Sequence, residues 1–396
     1  MTLLFLVLTG VLLYLAARLY SRIWSRGVRI GVEFGRESIC AGEETELIET
    51  VENHKRLPVA AMEVAFRVPK GLLFLDAENT MISDYVYKRD VFSLRGMEKI
   101  YRTYHLTGVQ RGRYRISHIS CVSPGLFFKS VFLSDLPDPE QDLYVYPARA
   151  DVSGILRAAE VLQGEKQSMR RVYEDPFAFS SIREYQTTDP MKNVNWKASA
   201  RAGQLMVNTY AAPVSEQIRI LLDLEDEGVR RQPEEIEQSI SIAATLYAAL
   251  VRKNQPTELI TGVQFSTEEL KKHPGALPHP GGTAFNGNRI TEVMRFFTED
   301  FTEMEKNSAV QLMETALQKT AGTGAGTIPV LITKNADAAL VNQLARMLQR
   351  RGKRTGAGPE KILVVVPCRD RAEYEKKKLP AAAGGVSVLP ALAVRT

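Results

Sequence analysis

The chain has 396 residues, 44% of them hydrophobic and 24% charged, with a formal net charge of +5. That length exceeds one ordinary domain and that apolar content builds real cores, which excludes a disordered chain. The small, dispersed charge gives no ground for nucleic-acid binding, and three distant cysteines, Cys40, Cys121 and Cys368, exclude a disulfide framework or a CxxC metal knuckle.

The stretch from Met1 to Ala17, MTLLFLVLTGVLLYLAA, carries no charge and rises roughly 25 Å as a helix at about 1.5 Å per residue. Leu19, Tyr20, Ile23 and Trp24 extend it, Arg18 and Arg22 can snorkel, and Tyr20 and Trp24 can act as interfacial anchors. A secretory signal would need basic residues ahead of the apolar run, and none precede it. Residues 1–26 are therefore predicted to be a transmembrane helix with a basic flank. Because Arg18, Arg22, Arg26 and Arg29 all follow the span, the positive-inside bias predicts a single-pass protein of the cell membrane with its bulk in the cytoplasm.

From residue 27 to 150 the pattern changes to period two. The runs RIGVEFG, TELIETVEN, AMEVAFRVP, KIYRTYHLT and RYRISHISCV alternate apolar and polar residues between turn formers, which predicts an antiparallel β-sandwich. Residues 151–212 read as a polar connector followed by a charged motif. Residues 213–396 alternate continuous apolar strands (IRILLDL, IPVLIT, KILVVVP) with amphipathic helices, which predicts an open, Rossmann-like α/β sheet. One helix is expected to begin at Pro233, with Glu234 and Glu235 in its first turn and Arg252 and Lys253 at its end.

Most chemical motifs fail on context. The glycines of AGTGAGTIP follow a helix and precede a strand, the reverse of a phosphate cradle. Cys121 lies near His118 in sequence, but strand alternation puts them on opposite faces. His273 and His279 flank a Pro-rich loop without a third metal ligand. The stretch REYQTTDPMKNVNWKASAR, from Arg183 to Arg201, stands apart. Asp189 and Pro190 make a good helix start and Gly203 a good stop, predicting a helix over 191–202. Two readings stay open for this cluster: a hydrogen-bonded brace for the fold, or a charged surface for a partner.

This stretch resembles the hallmark REYxxGDxxRxIxWKxSAR of the bacterial family called domain of unknown function 58, with Arg183, Glu184, Tyr185, Asp189, Val194, Trp196, Lys197, Ser199, Ala200 and Arg201 in register. RGRYRISHISCVSPGLFFKS, from Arg111 to Ser130, is similar to a second family segment. The resemblance implies a multidomain β plus α/β chain: membrane segment, β domain, then a von Willebrand factor A-like domain. It also implies a non-enzymatic scaffold or adaptor for protein–protein interaction, without a cofactor, working with a MoxR-type AAA+ ATPase and other membrane proteins in assembly, maturation or quality control of envelope proteins. The interaction residues it implies are Arg183, Glu184, Tyr185, Asp189, Asn195, Trp196, Lys197, Ser199 and Arg201. The chain departs from the pattern at Thr188, at Asn195 where a histidine is usual, and at Tyr210 where an acid is usual; it also has one apolar segment where a hairpin of two is common.

The A-domain metal site places hydroxyls at the end of the first strand so that Mg²⁺ stays electron-poor. Here that stretch is Asp223-Leu224-Glu225-Asp226-Glu227, with glutamates in place of hydroxyls, Thr283 as the loop threonine and Lys334 where an aspartate would be wanted. Asp223, Glu225, Glu227 and Thr283 are thus expected to form a degenerate site that holds no metal. The rival readings are an outward-facing metal-dependent adhesion module and a cryptic hydrolase or transferase.

Overall fold

The computed structural model describes residues 2–75, 80–82, 85–124, 130–133, 139–173, 179–189, 191–210, 217–226, 233–319, 327–355, 361–368, 372–373 and 384–392. The chain divides into two units, one built on Met1–Ala148 with Met294–Asp300, the other on Arg149–Val293 with Phe301–Arg395.

The first unit begins with helix α1 (Thr2–Ile23). Its side chains from Phe5 to Leu15 are exposed all round, Phe5 and Leu6 by 73% and 74%. Trp24, expected as an interfacial anchor, is instead 1% exposed and packed in the core of the following sheets. Among the described residues no helix is long and apolar enough to cross a membrane. The expected transmembrane anchor is overturned, and with it the single-pass location in the cell membrane and the cytoplasmic placement inferred from its flank.

Among the described residues twelve strands follow: β1 (Val28–Phe34), β2 (Ser38–Cys40), β3 (Glu44–Asn53), β4 (Val59–Pro69), β5 (Leu72–Phe74), β6 (Thr80–Ile82), β7 (Tyr85–Leu94), β8 (Lys99–Gly108), β9 (Gly112–Arg115), β10 (Ser117–Pro124), β11 (Ser130–Leu133) and β12 (Asp142–Tyr146). They form a four-stranded sheet in the order β1-β3-β8-β5, a five-stranded sheet β11-β10-β4-β7-β6 and a three-stranded sheet β2-β12-β9. The two larger sheets pair only antiparallel strands. Alternation along β3 and β7, and along β4 from Met62 onward, sends every second side chain inward. There Leu47, Val51, Met62, Phe66, Leu106 and Cys121 share one core. A bulge between Ser117 and Ser120, with His118 at φ 52, resets the alternation so that Ile119 and Cys121 both turn inward.

The second unit opens with α2 (Ser153–Tyr173), which buries Ile155, Ala159 and Leu162 and is therefore more than a connector. Next come β13 (Phe179–Glu184), a 3₁₀ turn (Met191–Asn193), α3 (Trp196–Ala202) and β14 (Met206–Tyr210). A seven-stranded sheet takes up the remainder. Its elements are β15 (Gln217–Leu222), α4 (Pro233–Arg252), β16 (Thr257–Thr261), α5 (Thr267–Lys272), β17 (Leu277–His279) and β18 (Gly282–Asn286), then α6 (Ile290–Phe296), α7 (Ala309–Lys319), β19 (Thr327–Ile332), α8 (Ala338–Thr355), β20 (Ile362–Cys368) and β21 (Val386–Leu392).

The order is β17-β18-β16-β15-β19-β20-β21. The strands from β16 to β21 run parallel, while β18 and β17 return antiparallel. Residues of β16 and β20 are buried without a break, because helices cover both faces of the parallel part. One face packs against α4; the other shares a core with α7 and α8. The reversal at β18 needs Gly282: its φ is +132°, and a Cβ there would lie 2.0 Å from the Thr261 carbonyl oxygen. A buried ion pair, Arg219 Nε to Glu258 Oε2 at 2.5 Å, ties β15 to β16, and Arg219 Nη1 also donates to the Ala316 carbonyl at 2.6 Å.

The expectation of a membrane-anchored, von Willebrand factor A-like chain is corrected as a whole. The protein is β-rich, most of its sheets are antiparallel, and even the helix-covered sheet is mixed at one edge. The grounds are two: among the described residues no helix is long and apolar enough to cross a membrane, and the two larger sheets pair only antiparallel strands.

Candidate interaction surface and its brace

The motif from Arg183 to Arg201 folds as a two-stranded antiparallel ribbon with a helical insert. β13 pairs with β14 from Phe179↔Tyr210 to Glu184↔Met206, and the β-branched residues Ile182 and Val207 suit the pleat. Between the strands the chain turns through Asp189 and the 3₁₀ turn, bridges back at Val194↔Val207, and enters α3.

Several motif side chains hold this shape. Arg183 grips Asp189 with both nitrogens, Nη1 to Oδ2 at 2.8 Å and Nη2 to Oδ1 at 2.6 Å. Asp189 Oδ2 also accepts from the Gln186 amide at 2.8 Å. The guanidinium first, and that backbone donor second, hold the Asp189 carboxyl below its usual range. Asn195 caps α3: its Oδ1 accepts from the Ala198 amide at 3.0 Å while its Nδ2 donates to Asn208 Oδ1 at 2.8 Å. Ser199 Oγ donates to the Asn195 carbonyl at 2.8 Å and accepts from the Met206 amide at 2.8 Å, which fastens helix to strand. Glu184 Oε1 accepts from Gln204 Nε2 at 2.7 Å, and the Tyr185 amide donates to the Leu205 carbonyl at 2.9 Å. Gly203, at φ 71°, ends the helix in the left-handed region.

The helix therefore starts at Trp196 and not at Met191. Asp189 is drawn to Arg183, a bidentate pairing that outcompetes a local cap, and the cap falls to Asn195. The remaining motif residues look outward. No residue of α3 is buried; Trp196 is 64% exposed, and Lys197 and Arg201 are exposed beside it. On a helix of 3.6 residues per turn Trp196, Ala200, Lys197 and Arg201 occupy one arc, opposite Ser199 and Ala198. Among the described residues neither Lys197 nor Arg201 has an acidic partner. The two readings of the motif thus apply to different side chains: Arg183, Asp189, Asn195 and Ser199 brace, while Trp196, Lys197 and Arg201 are presented.

At the end of β15, Asp223 Oδ1 accepts from the Glu225 amide at 3.0 Å and Oδ2 from the Thr333 hydroxyl at 2.7 Å. The Lys334 ammonium, 4% exposed, pairs with Asp226. A protein cation thus sits among these acids. Thr283 is buried in β18 and donates to the Val263 carbonyl at 2.9 Å; Glu227 lies outside the described residues. Among the described residues no group of three or more His, Cys, Asp and Glu side chains is arranged to hold a metal. His273 stacks on Phe265 with centroids 5.4 Å apart, and His279 Nδ1 accepts from the Gly281 amide at 3.0 Å.

The sequence reading missed a polar cluster in the first unit. Glu49 on β3 and Tyr104 on β8 belong to one sheet and Asp90 on β7 to the other, and all three are at most 4% exposed. The Tyr104 hydroxyl lies 2.7 Å from Glu49 Oε2 and 2.6 Å from Asp90 Oδ2. Arg102 Nη1 meets Asp90 Oδ1 at 2.8 Å, and Lys88 Nζ lies 4.7 Å from the Tyr104 ring centroid. Glu49 Oε1 has no hydrogen-bond partner among the described residues. Burial first, with the Asp90 charge adding to it, raises the Glu49 carboxyl from 4.5 to about 7 against the opposing pull of the Tyr104 hydrogen bond, Arg102 and Lys88. The signal was present in TELIETVEN, where Glu49 falls in the inward phase set by Leu47 and Val51.

No family model matches the chain. It is similar to the uncharacterized protein YeaD of Bacillus subtilis (strain 168), 21% identical over 341 residues that cover 83% of this chain and 81% of that one. Among solved structures it is similar to a CARDB domain from Pyrococcus furiosus (17% identity, 30% of this chain and 91% of that one, TM-score 0.20). It is also similar to a putative membrane anchored protein from Corynebacterium diphtheriae (16% identity, 31% and 33%, TM-score 0.23). At these TM-scores neither structure bears on the fold or the site.

Proposed function

We propose that the chain is a non-enzymatic adaptor that holds a protein partner on the outward face of α3, the partner being a MoxR-type AAA+ ATPase engaged in assembly, maturation or quality control of envelope proteins. The observation that carries the reading is Trp196, 64% exposed on a helix whose neighbours are locked in place by Asn195 and Ser199. A large indole left in water beside two cations without acidic partners is the composition of an interface anchor. Covering about 150 Å² of indole at about 25 cal/mol per Å² is worth roughly 4 kcal/mol gross. Because the brace fixes the helix beforehand, little of that is lost to ordering. The identity of the partner and its clients rests on the resemblance of residues 183–201 to domain of unknown function 58.

The test is a binding titration of the purified full chain against the purified MoxR-type ATPase of the same cell. Trp196→Ala is expected to weaken binding a hundredfold or more, whereas Val161→Ala, at a site 60% exposed on α2, leaves it unchanged. An ATPase that ignores the wild-type chain, or that binds Trp196→Ala equally well, refutes the proposal.

A further inference from the structure

The polar cluster in the first unit poses a counting problem. Two carboxylate oxygens, one from each sheet, lie within hydrogen-bond distance of the Tyr104 hydroxyl, at 2.7 Å and 2.6 Å. That hydroxyl has one hydrogen, so it can donate to only one of them. The other contact is a bond only if that carboxyl itself carries a proton and donates to the phenol oxygen.

The surroundings decide which carboxyl it is. Asp90 already receives the Arg102 guanidinium at 2.8 Å, so its oxygens have donors without a proton of their own. Glu49 is fully buried, and its second oxygen has no donor among the described residues. As a carboxylate it would bring an unsatisfied charge into the core; as an acid it completes a chain in which every hydrogen has an acceptor. We infer that Glu49 is a proton-binding site in the core of the first unit, its proton completing a relay from Glu49 through Tyr104 to Asp90 and Arg102 that joins the two larger sheets.

The groups facing Glu49 come from both sheets: Arg102 and Tyr104 on β8, Lys88 and Asp90 on β7, and the Cys121 thiol on β10. Lys88 and Arg102 favour the ionised form, yet Asp90 and burial outweigh them, so the proton stays until about neutrality. The folded unit binds this proton more tightly than the open chain does, since the carboxyl rises from 4.5 to about 7. Its contribution is therefore complete below the lower value and is lost as pH climbs through the upper one. Release leaves two adjacent carboxylates sharing one phenolic hydrogen where the Tyr104 hydroxyl, beside the Arg102–Asp90 pair, spans the two sheets. The device is a clamp between sheets that loosens on the alkaline side of neutral.

Two measurements on the full chain test it. Infrared titration is expected to show a buried protonated carboxyl whose signal disappears with a midpoint near 7 and is missing in Glu49→Gln. Hydrogen exchange at β3 and β8 amides, with wild type compared to Glu49→Gln at each pH, is expected to show the relative opening constant rising roughly seventyfold between about pH 5 and pH 8. Glu49→Gln copies the neutral acid in shape and donor capacity, so its fold is retained. If the infrared signal survives in Glu49→Gln and vanishes in Asp90→Asn, or if the exchange ratio stays flat with pH, the inference is wrong.

Discussion

Replacing Asn195 by alanine tests whether the motif is braced as described. The substitution removes the N-cap of α3, worth about 1 kcal/mol, and the Nδ2 bond to Asn208, worth about 1 kcal/mol more. The helix has no buried side chain to compensate, so about 2 kcal/mol should be lost from the local stability of the ribbon. Hydrogen exchange at the Ala198 and Ser199 amides would register this as opening roughly thirtyfold more frequent. Asn195→Asp keeps the cap oxygen and loses only the donor, and Asn208 can turn its amide to answer it, so its cost should be less than half. An alanine effect below about 0.5 kcal/mol, or an aspartate effect equal to it, would refute the brace. Binding offers a further check: Trp196→Ala should abolish capture without loosening these amides, whereas Asn195→Ala should weaken capture only in proportion to the loosening.

Two other outcomes follow from buried charges. With Lys334 seated against Asp226 and Thr333 donating to Asp223, calorimetric titration of the chain with Mg²⁺ or Mn²⁺ should show no micromolar site; such a site, removed by Asp223→Ala, would contradict that arrangement. Arg219→Met takes the buried cation away from Glu258 and should cost about 3–5 kcal/mol, measured by urea denaturation, while Arg219→Met with Glu258→Met should recover most of that loss. A double variant no more stable than the single one would mean that the carboxylate is not what makes the loss large.

Much of the strand pattern was legible because alternation is a local signal. RIGVEFG, TELIETVEN and AMEVAFRVP overlap most of β1, β3 and β4, and Pro233 with two following glutamates marks the start of α4. What was not legible depended on partners distant in space. Asp189 followed by proline looks like a helix start until Arg183 folds back onto it, and the connector after residue 151 looks solvated until Ile155, Ala159 and Leu162 find a surface to cover. Trp24 looked like an anchor because sequence does not reveal that a core lies ready to receive it. Lys334 stands where an aspartate would be wanted; that Asp226 would seat it was beyond the reach of spacing alone. The division of the motif into bracing and presented residues needed the ribbon, since register alone decides which side chains meet.

The segment Met294–Asp300 belongs to the first unit although the chain on either side of it belongs to the second. Arg111 donates to the carbonyls of Phe297 and Glu299 at 2.7 Å and 2.6 Å, and the Arg295 guanidinium lies 5.0 Å from the centre of the Tyr144 ring. A gene cut after the codon for Ala148 would therefore deliver a fragment missing a piece of itself, and a ribosome would have to finish nearly three quarters of its work before that piece emerged. Limited proteolysis should give products that stay together on a sizing column after nicking, as a sewn seam holds when only the cloth beside it is cut.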